Sequence, residues 1–396
     1  MNVSSGNLDS VIRQLCRRLW LAFPAALFSL SAQALEVEFK ASFLPDPGNP
    51  LKNEFTNNTP PSGYCASYPT QCKLSFRLPL TFRSRAPIES HHTDFRQGAT
   101  LKAPALWRTL TVVNSATGDE AEVEVRISGI GSQYELSQPA MELVPEAGSN
   151  VAAHHQLWGM SWVNAPAPCL YSGLGYVSSR TYTFFWKTPV EGFCSKLARY
   201  PIPEMEYLYL DVAYELRTPK PLEMDAGIYT GSISYSVGPF KDFDMGDVML
   251  PSDDNIVFNF TLTVEHTLKV EIPPGGNRIQ LEPQGGWQAW LNQGRKPARL
   301  FRDQTFNLSA SSRFKMQLEC GTGQIGDTCA VQNAAGDQVP LNVLVSLPNG
   351  LTNIDGGAVN RLPLRVSGAG TELFQPSFYV DRRPGTLHFE VQREGV

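Results

Sequence analysis

The chain has 396 residues, with 33 basic and 38 acidic side chains and a formal net charge of −5. Its 42% hydrophobic content is enough for a packed core and argues against wholesale disorder. Mild acidity without a Lys/Arg run argues against nucleic acid as the main partner. The length favours two domains, and 32 Gly with 30 Pro favour turns over long helices.

The first 34 residues have the pattern of an export signal. Three arginines come first, at Arg13, Arg17 and Arg18. An apolar run over 19–30 and the small-residue stretch 32–34 follow, in the order of a secretory signal peptide. The apolar run is short for a membrane span, which takes about 20 residues. We therefore expect residues 1–34 to be cleaved and the mature chain to be exported.

Six cysteines follow the predicted signal, and they lie in three close pairs. An even number of cysteines in an exported chain is typical of disulfide bonds. A zinc site would need short Cys-x-x-Cys spacings, which the sequence lacks. The local spacing favours the pairs Cys65–Cys72, Cys169–Cys194 and Cys320–Cys329.

Apolar and polar residues alternate along most of the mature chain, which predicts β-strands with one buried face. Turn clusters, such as 114–119, separate the alternating runs. Pro79 would confine its strand to a sheet edge. In chain order, the clearest alternations cover 74–82, 122–127, 208–216, 256–264, 268–272, 314–320, 341–347 and 385–393. Many short strands between turns predict an all-β fold with two immunoglobulin-like or pilin-like β-sandwich domains.

One short helix is predicted where Trp287, Trp290 and Leu291 fall at i, i+3 and i+4. Gly294 could end that helix. The two tryptophans could form an aromatic site, but we favour a plug on a sandwich core.

The domain boundary is expected near His266, where one alternating run ends and another begins before Pro273 and Pro274. Residues 35–265 would form an N-terminal receptor-binding domain. Residues 267–396 would form a C-terminal sandwich.

The last predicted strand places Leu387, Phe389 and Val391 on one face, close to the end of the sequence. A core-type strand needs neighbours on both edges. We therefore expect the second sandwich to lack one strand, with a hydrophobic groove beside these three residues. Another chain would fill that groove by β-strand addition.

Here the sequence resembles a bacterial family. It is similar to the subunits of chaperone–usher fimbriae. Four features carry the resemblance: the export signal, the two β domains, the stretch 226–235 (AGIYTGSISY) and the C-terminal stretch 384–391 (PGTLHFEV). The closest resemblance is to two-domain tip adhesins. It implies a periplasmic chaperone, an outer-membrane usher and a neighbouring pilin as partners. It also implies a location on the cell surface, a receptor-binding first domain and a second domain that joins the pilus.

An alternating strand starts almost at the expected cleavage site, at Leu35, Val37 and Phe39. Few residues would remain between the cleavage site and this strand to form a free N-terminal extension. The subunit would thus accept a strand rather than donate one, as a tip subunit does.

Aromatic residues near the predicted 169–194 loop suggest a receptor site for a glycan or a protein. Aromatic rings stack on apolar sugar faces, and a disulfide limits the conformations of a loop. The alternative, that each tryptophan is a structural residue of the core, remains open. The candidate residues are Trp158, Trp162, Tyr171, Tyr176 and Trp186.

Other chemistry has weaker support. His91 and His92 with Asp94, and the pair His154 and His155, could bind metal, but neighbouring strand residues point to opposite faces, so two solvated loops are favoured. No nucleophile elbow, zincin helix or phosphate loop is present. We expect no cofactor and no enzymatic activity. The alternatives are a secreted or periplasmic carbohydrate-active enzyme and, last, a eukaryotic receptor fragment.

Overall fold

The structure, a computed structural model, describes residues 35–173, 175–294, 296–368 and 373–392. The predicted signal peptide and residues 393–396 lie outside the described residues. The helices are α1 (Tyr64–Ser67), α2 (Ala140–Leu143), α3 (Asn150–Leu157) and α4 (Gly286–Gln293), with 3₁₀ turns η1 (Phe95–Gln97) and η2 (Pro221–Glu223). The strands are β1 (Leu35–Phe43), β2 (Thr56–Asn57), β3 (Ser75–Leu78), β4 (Phe82–Ser84), β5 (Ala99–Leu101), β6 (Arg108–Asn114), β7 (Glu120–Leu136), β8 (Leu170–Tyr171), β9 (Tyr176–Val177), β10 (Thr181–Lys187), β11 (Cys194–Lys196), β12 (Met205–Tyr207), β13 (Leu210–Arg217), β14 (Gly227–Ser236), β15 (Met249–Pro251), β16 (Asn255–Val264), β17 (Leu268–Glu271), β18 (Arg299–Ala310), β19 (Gln324–Ile325), β20 (Thr328–Gln332), β21 (Gln338–Ser346), β22 (Leu351–Asn353), β23 (Leu362–Pro363), β24 (Phe374–Pro376) and β25 (Val380–Gln392).

The prediction of an all-β fold with two sandwich-like parts is confirmed. One 14-stranded sheet uses strands from 35–264, and one seven-stranded sheet uses strands from 268–392. The boundary between the two sheets lies at His266. We call residues 35–264 the first sheet region and residues 268–392 the second sheet region. Each has its own buried apolar cluster.

The first sheet region is organised by the long strand β7, which pairs with β6, β10, β12 and β13 along its length. β1 lies parallel to β16 from Leu35–Ile256 to Phe43–Val264. The strict in–out burial of β16 explains why its alternation was legible in the sequence. Residues 35–43 are thus committed to this sheet.

Aromatic packing fills the interior of the first sheet region. Phe39 stacks on Phe260 with ring centroids 4.8 Å apart and contacts Tyr214 edge-on at 4.7 Å. Such pairs add to the free energy of burying the rings. The core therefore rests on large aromatic side chains from strands distant in sequence.

The second sheet region has the order β17-β18-β25-β21-β20-β19, with β23 beside β21. β22 and β24 form a separate two-stranded ribbon. The terminal strand β25 therefore lies in the interior of the sheet, while β17 and β19 lie at its edges.

Two predicted elements differ from the structure, and one helix was not predicted. The expected strand 74–82 is divided into β3, which ends before Pro79, and β4, because Pro79 has no backbone N–H to donate. The strand predicted over 314–320 is wrong, since only the isolated bridge Phe314–Phe374 forms there. Helix α3 was not predicted, although Ser149 caps it by accepting a hydrogen bond from the Ala152 N–H.

Helix α4 is confirmed, and Gly294 ends it in the left-handed conformation at φ 63°. The favoured plug on the core is wrong, however. Trp287 is 38% exposed and Leu291 62% exposed, so the helix turns apolar side chains outward.

Candidate functional site

Three of the predicted receptor aromatics are core residues. Trp158 is 3% exposed, and Trp162 and Trp186 are fully buried. Trp162 stacks on Trp186 with centroids 5.2 Å apart, and the Trp186 Nε1–H donates to the Trp162 carbonyl at 2.7 Å. The prediction that these three rings contact a receptor is therefore wrong, because a ring buried in the core has no face open to a ligand.

The two tyrosines of the same prediction lie at the surface. Tyr171 is 57% exposed and Tyr176 is 70% exposed. The Tyr171 hydroxyl donates to the Gly173 carbonyl at 2.8 Å, which orients that ring. Both side chains therefore remain candidates for receptor contact, and we call residues 170–173 and 175–177 the tyrosine loop.

A shallow charged cleft of about 200 Å³ adjoins the turn at Arg180. Arg83 lines it with Glu204 and Glu206, and forms an ion pair with Glu206 at 3.0 Å. Both signs of charge are present, so the cleft offers hydrogen-bond donors and acceptors to a polar ligand.

The three disulfides form as predicted, at Cys65–Cys72, Cys169–Cys194 and Cys320–Cys329. Cys169 lies directly before Leu170 and Tyr171, while Cys194 opens β11. The second disulfide thus anchors the base of the exposed tyrosine loop.

Buried polar groups support this loop from below. His154 is fully buried, with Nδ1 2.7 Å from the Tyr134 hydroxyl and Nε2 3.1 Å from the Ser178 carbonyl. Burial lowers the pKa of His154 to about 4, so the ring is neutral in the folded protein. The Lys196 ammonium donates to the Ser161 carbonyl at 2.9 Å, and burial lowers its pKa to about 8.

The histidine pairs do not form metal sites in the described part of the chain, where no cluster of three His, Cys, Asp or Glu ligands occurs. His154 and His155 lie on α3, not in the solvated loop that we expected. His92 Nδ1 lies 2.8 Å from the backbone carbonyl oxygen of Asp94. The ring therefore contacts the backbone of Asp94 and not its carboxylate.

The predicted groove beside the terminal strand is wrong in its location. Leu387 pairs with Gln304 of β18 on one edge and Val345 of β21 on the other. Phe389 is flanked in the same way, and Val391 is buried against β18. Because both edges beside Leu387 and Phe389 are occupied, no strand can be added there.

The exposed apolar edge is instead β17, at the start of the second sheet region. Among the strands of the described residues, β17 pairs with β18 alone. Leu268 and Val270 are each 55% exposed, and Ile272 just beyond the strand is 57% exposed. A short edge strand with outward apolar side chains and free backbone groups is a template for strand addition.

The outer face of β25 carries a polar cluster that sequence reasoning missed. His388 lies with Nε2 2.8 Å from Ser346 Oγ and Nδ1 2.7 Å from Asp303 Oδ1, the distances of a catalytic triad. The Arg361 guanidinium lies 3.0 Å from the same Nδ1. Asp303 can only accept a hydrogen bond from Nδ1, and Arg361 can only donate one to it, so the two contacts require different tautomers and do not define a serine-activating base. We interpret the cluster as a tie between three strands.

The junction of the two sheet regions is hydrogen-bonded through His266. Its Nε2 lies 2.8 Å from the Met224 carbonyl and its Nδ1 3.2 Å from Ser311 Oγ. Arg313 and Asp225 add an exposed ion pair at 3.7 Å. A polar cavity of about 660 Å³ beside them is lined by residues of both regions.

The comparisons with known proteins give a distant structural likeness. No protein-family profile and no curated protein sequence matches the chain. A structure described as a chaperone–tip adhesin complex vital for CFA/I fimbriae biogenesis is 10% identical, with 91% of this chain and 90% of that chain covered and a TM-score of 0.22. The CsuC–CsuE chaperone–tip adhesion subunit complex of the Csu pili of Acinetobacter baumannii is 7% identical, with 92% and 94% covered and a TM-score of 0.20. CfaE, the adhesive subunit of the CFA/I fimbria of enterotoxigenic Escherichia coli, is 10% identical, with 91% and 87% covered and a TM-score of 0.20. These values do not establish a shared family. In the described part of the chain, no helix is both long and apolar enough to cross a membrane.

Proposed function

We propose that the protein is an exported fimbrial tip adhesin. Residues 35–265 bind a glycan or protein receptor. Residues 267–396 join the pilus by accepting a strand from a neighbouring pilin, after a periplasmic chaperone has occupied the same edge and an outer-membrane usher has received the complex.

The observation that carries this proposal is the apolar edge β17. Leu268 and Val270 point away from the buried cluster of their own region, which does not include them. Leaving such side chains on a free edge favours aggregation unless a partner covers them. A donated strand would pair with the β17 backbone and cover both side chains.

The first sheet region supports the receptor role through its exposed, disulfide-anchored loop. Tyr171 and Tyr176 are presented on a base held by Cys169–Cys194, so less conformational freedom is lost when a ligand binds. We propose a binding role and no enzymatic step for this protein.

The proposal is tested by placing charge on the edge. The double variant Leu268→Lys, Val270→Lys should remain folded, since both side chains are half exposed, and should aggregate less than the unmodified chain. It should be absent from assembled fimbriae and should not co-purify with the chaperone.

Ile354→Lys is the matched control, since Ile354 is a 59% exposed apolar residue of the same region outside β17. This control should assemble and adhere normally. Fimbriae that carry the β17 double variant at their tips and adhere as before would refute the proposal.

A further inference from the structure

Three phenylalanines, two exposed and one partly buried, lie near one another on the first sheet region, and we call them the aromatic patch: Phe95, Phe193 and Phe240. Phe240 is 77% exposed and Phe95 is 45% exposed. The Phe95 and Phe193 rings lie 5.2 Å apart, centroid to centroid. The three residues come from η1, the segment before β11 and the loop after β14, so the fold alone brings them together.

The aromatic patch is held on a buried ionic support. The Arg96 guanidinium lies 3.9 Å from the Phe240 ring centre and 5.4 Å from that of Phe193. Arg96 forms ion pairs with Asp244 at 2.9 Å and Asp247 at 2.6 Å. Fully buried Asp244 also accepts from the Phe240 N–H at 2.8 Å. The Phe240 backbone is therefore held by Asp244, and its ring contacts Arg96, before any ligand arrives.

Phe240 has a left-handed backbone conformation, which glycine adopts more readily than any other residue. Its φ of 63° lies in the left-handed region, which is costly for a residue with a bulky side chain. The ring is nevertheless mostly in solvent, so little burial offsets that cost. Strain of this kind at an exposed, rigidly held residue is typical of a site kept for function.

We propose that the aromatic patch is a carbohydrate-binding platform, which rests on the proposed adhesin function and names its ligand class. Flat rings fixed at a surface stack against the apolar face of a sugar ring, and polar side chains nearby bond its hydroxyls. The rim supplies both kinds of group, since Lys102 pairs with Glu191 at 3.3 Å and Asp94 lies beside Phe95.

Two other ligand classes fit the aromatic patch less well. An anionic membrane surface would need a basic rim, but here Lys102 is paired with Glu191 and Arg96 with Asp247, so the rim has no excess of positive charge. A protein partner would need about 800 Å² from this side, far more than three rings provide. One or two sugar units match the patch in size and polarity.

The test compares Phe240→Gly with unmodified protein on a glycan array, using the mature full-length chain. Glycine suits φ 63°, so the variant should melt at the same or a higher temperature. It should also lose at least about tenfold in glycan affinity, as expected when an aromatic contact is removed. Phe240→Trp should keep binding. Phe95→Ala should weaken it.

Leu51→Ala is the matched control, since it removes a 74% exposed apolar side chain of the first sheet region outside the aromatic patch and the tyrosine loop. Normal glycan affinity in Phe240→Gly would overturn the inference, as would an equal loss of affinity in Leu51→Ala. Vesicle binding that depends on Phe240, without glycan binding, would also overturn it. Fimbriated cells that adhere while the chain binds no glycan would overturn the patch but keep the adhesin. Phe240-dependent glycan binding by a chain that never reaches fimbriae would keep the patch and overturn the adhesin.

Discussion

At the scale of single residues, His154 makes stability depend on pH. Its pKa is about 4 in the folded protein because the ring is buried, against about 6.5 when unfolded. Between these values the unfolded state binds more protons, so the free energy of unfolding falls as pH falls. We expect about 1–2 kcal/mol to be lost between pH 7 and pH 5 through this residue.

Urea unfolding of the unmodified chain and of His154→Gln at several pH values measures this effect. The glutamine variant should be less stable at pH 7 but should lose less stability on acidification. Parallel pH curves for the two chains would show that His154 does not contribute.

The buried tryptophans give a second prediction at this scale. Trp162→Ala or Trp186→Ala should cost about 3–5 kcal/mol of unfolding free energy, because each removes a fully buried ring from a stacked pair. Tyr176→Ala, at a 70% exposed position, should change stability by less than about 0.5 kcal/mol. Thermal melts of the three variants decide whether the tryptophans are structural, as their burial requires.

At the scale of elements, the disulfide loop links stability to binding. Replacing both Cys169 and Cys194 by Ser should cost about 2–5 kcal/mol, because a loop of 25 residues is no longer closed in the unfolded state. It should also weaken receptor binding, since Tyr171 and Phe193 flank the two cysteines. Denaturant melts and binding measurements should be compared with those of Cys320→Ser, Cys329→Ser, for which we expect stability loss without loss of binding.

Elements with one buried face could be predicted from the sequence, and their partners could not. The alternation of β16 is legible because every second residue enters a core. Nothing in the alternation of Leu387, Phe389 and Val391 tells whether a sheet edge beside them is open. That depends on β18, about 80 residues earlier, which fills one side.

The candidate site shows the same division. The local cysteine spacing was enough to predict three disulfides, since each pair closes a short loop. Burial of Trp162 under Trp186, and the meeting of Phe95 with Phe193, depend on contacts between distant segments. The sequence pattern does not indicate that Phe240 has a left-handed backbone conformation.

At the scale of the whole molecule, His266 couples the two sheet regions. His266→Ala removes the hydrogen bonds to the Met224 carbonyl and to Ser311 Oγ. Each such bond contributes about 1 kcal/mol, so calorimetry should show the melting of the two regions less coupled in this variant than in the unmodified chain. Asp225→Asn should have almost no effect, because its ion pair with Arg313 is exposed and worth about 0–1 kcal/mol. An unchanged sharp transition in His266→Ala would mean that other contacts hold the regions together.

The central claim, that β17 accepts a strand from fimbrial partners, is tested most directly by photo-cross-linking in living cells. A photoreactive amino acid replaces Val270 in one chain and Ile354 in another, both exposed apolar positions of the second sheet region. At Val270 we predict adducts with a periplasmic chaperone and, in isolated fimbriae, with the N-terminal extension of a pilin. At Ile354 we predict no such adducts. Fimbriae that contain the Val270-labelled chain without a cross-link to chaperone or pilin would contradict the account.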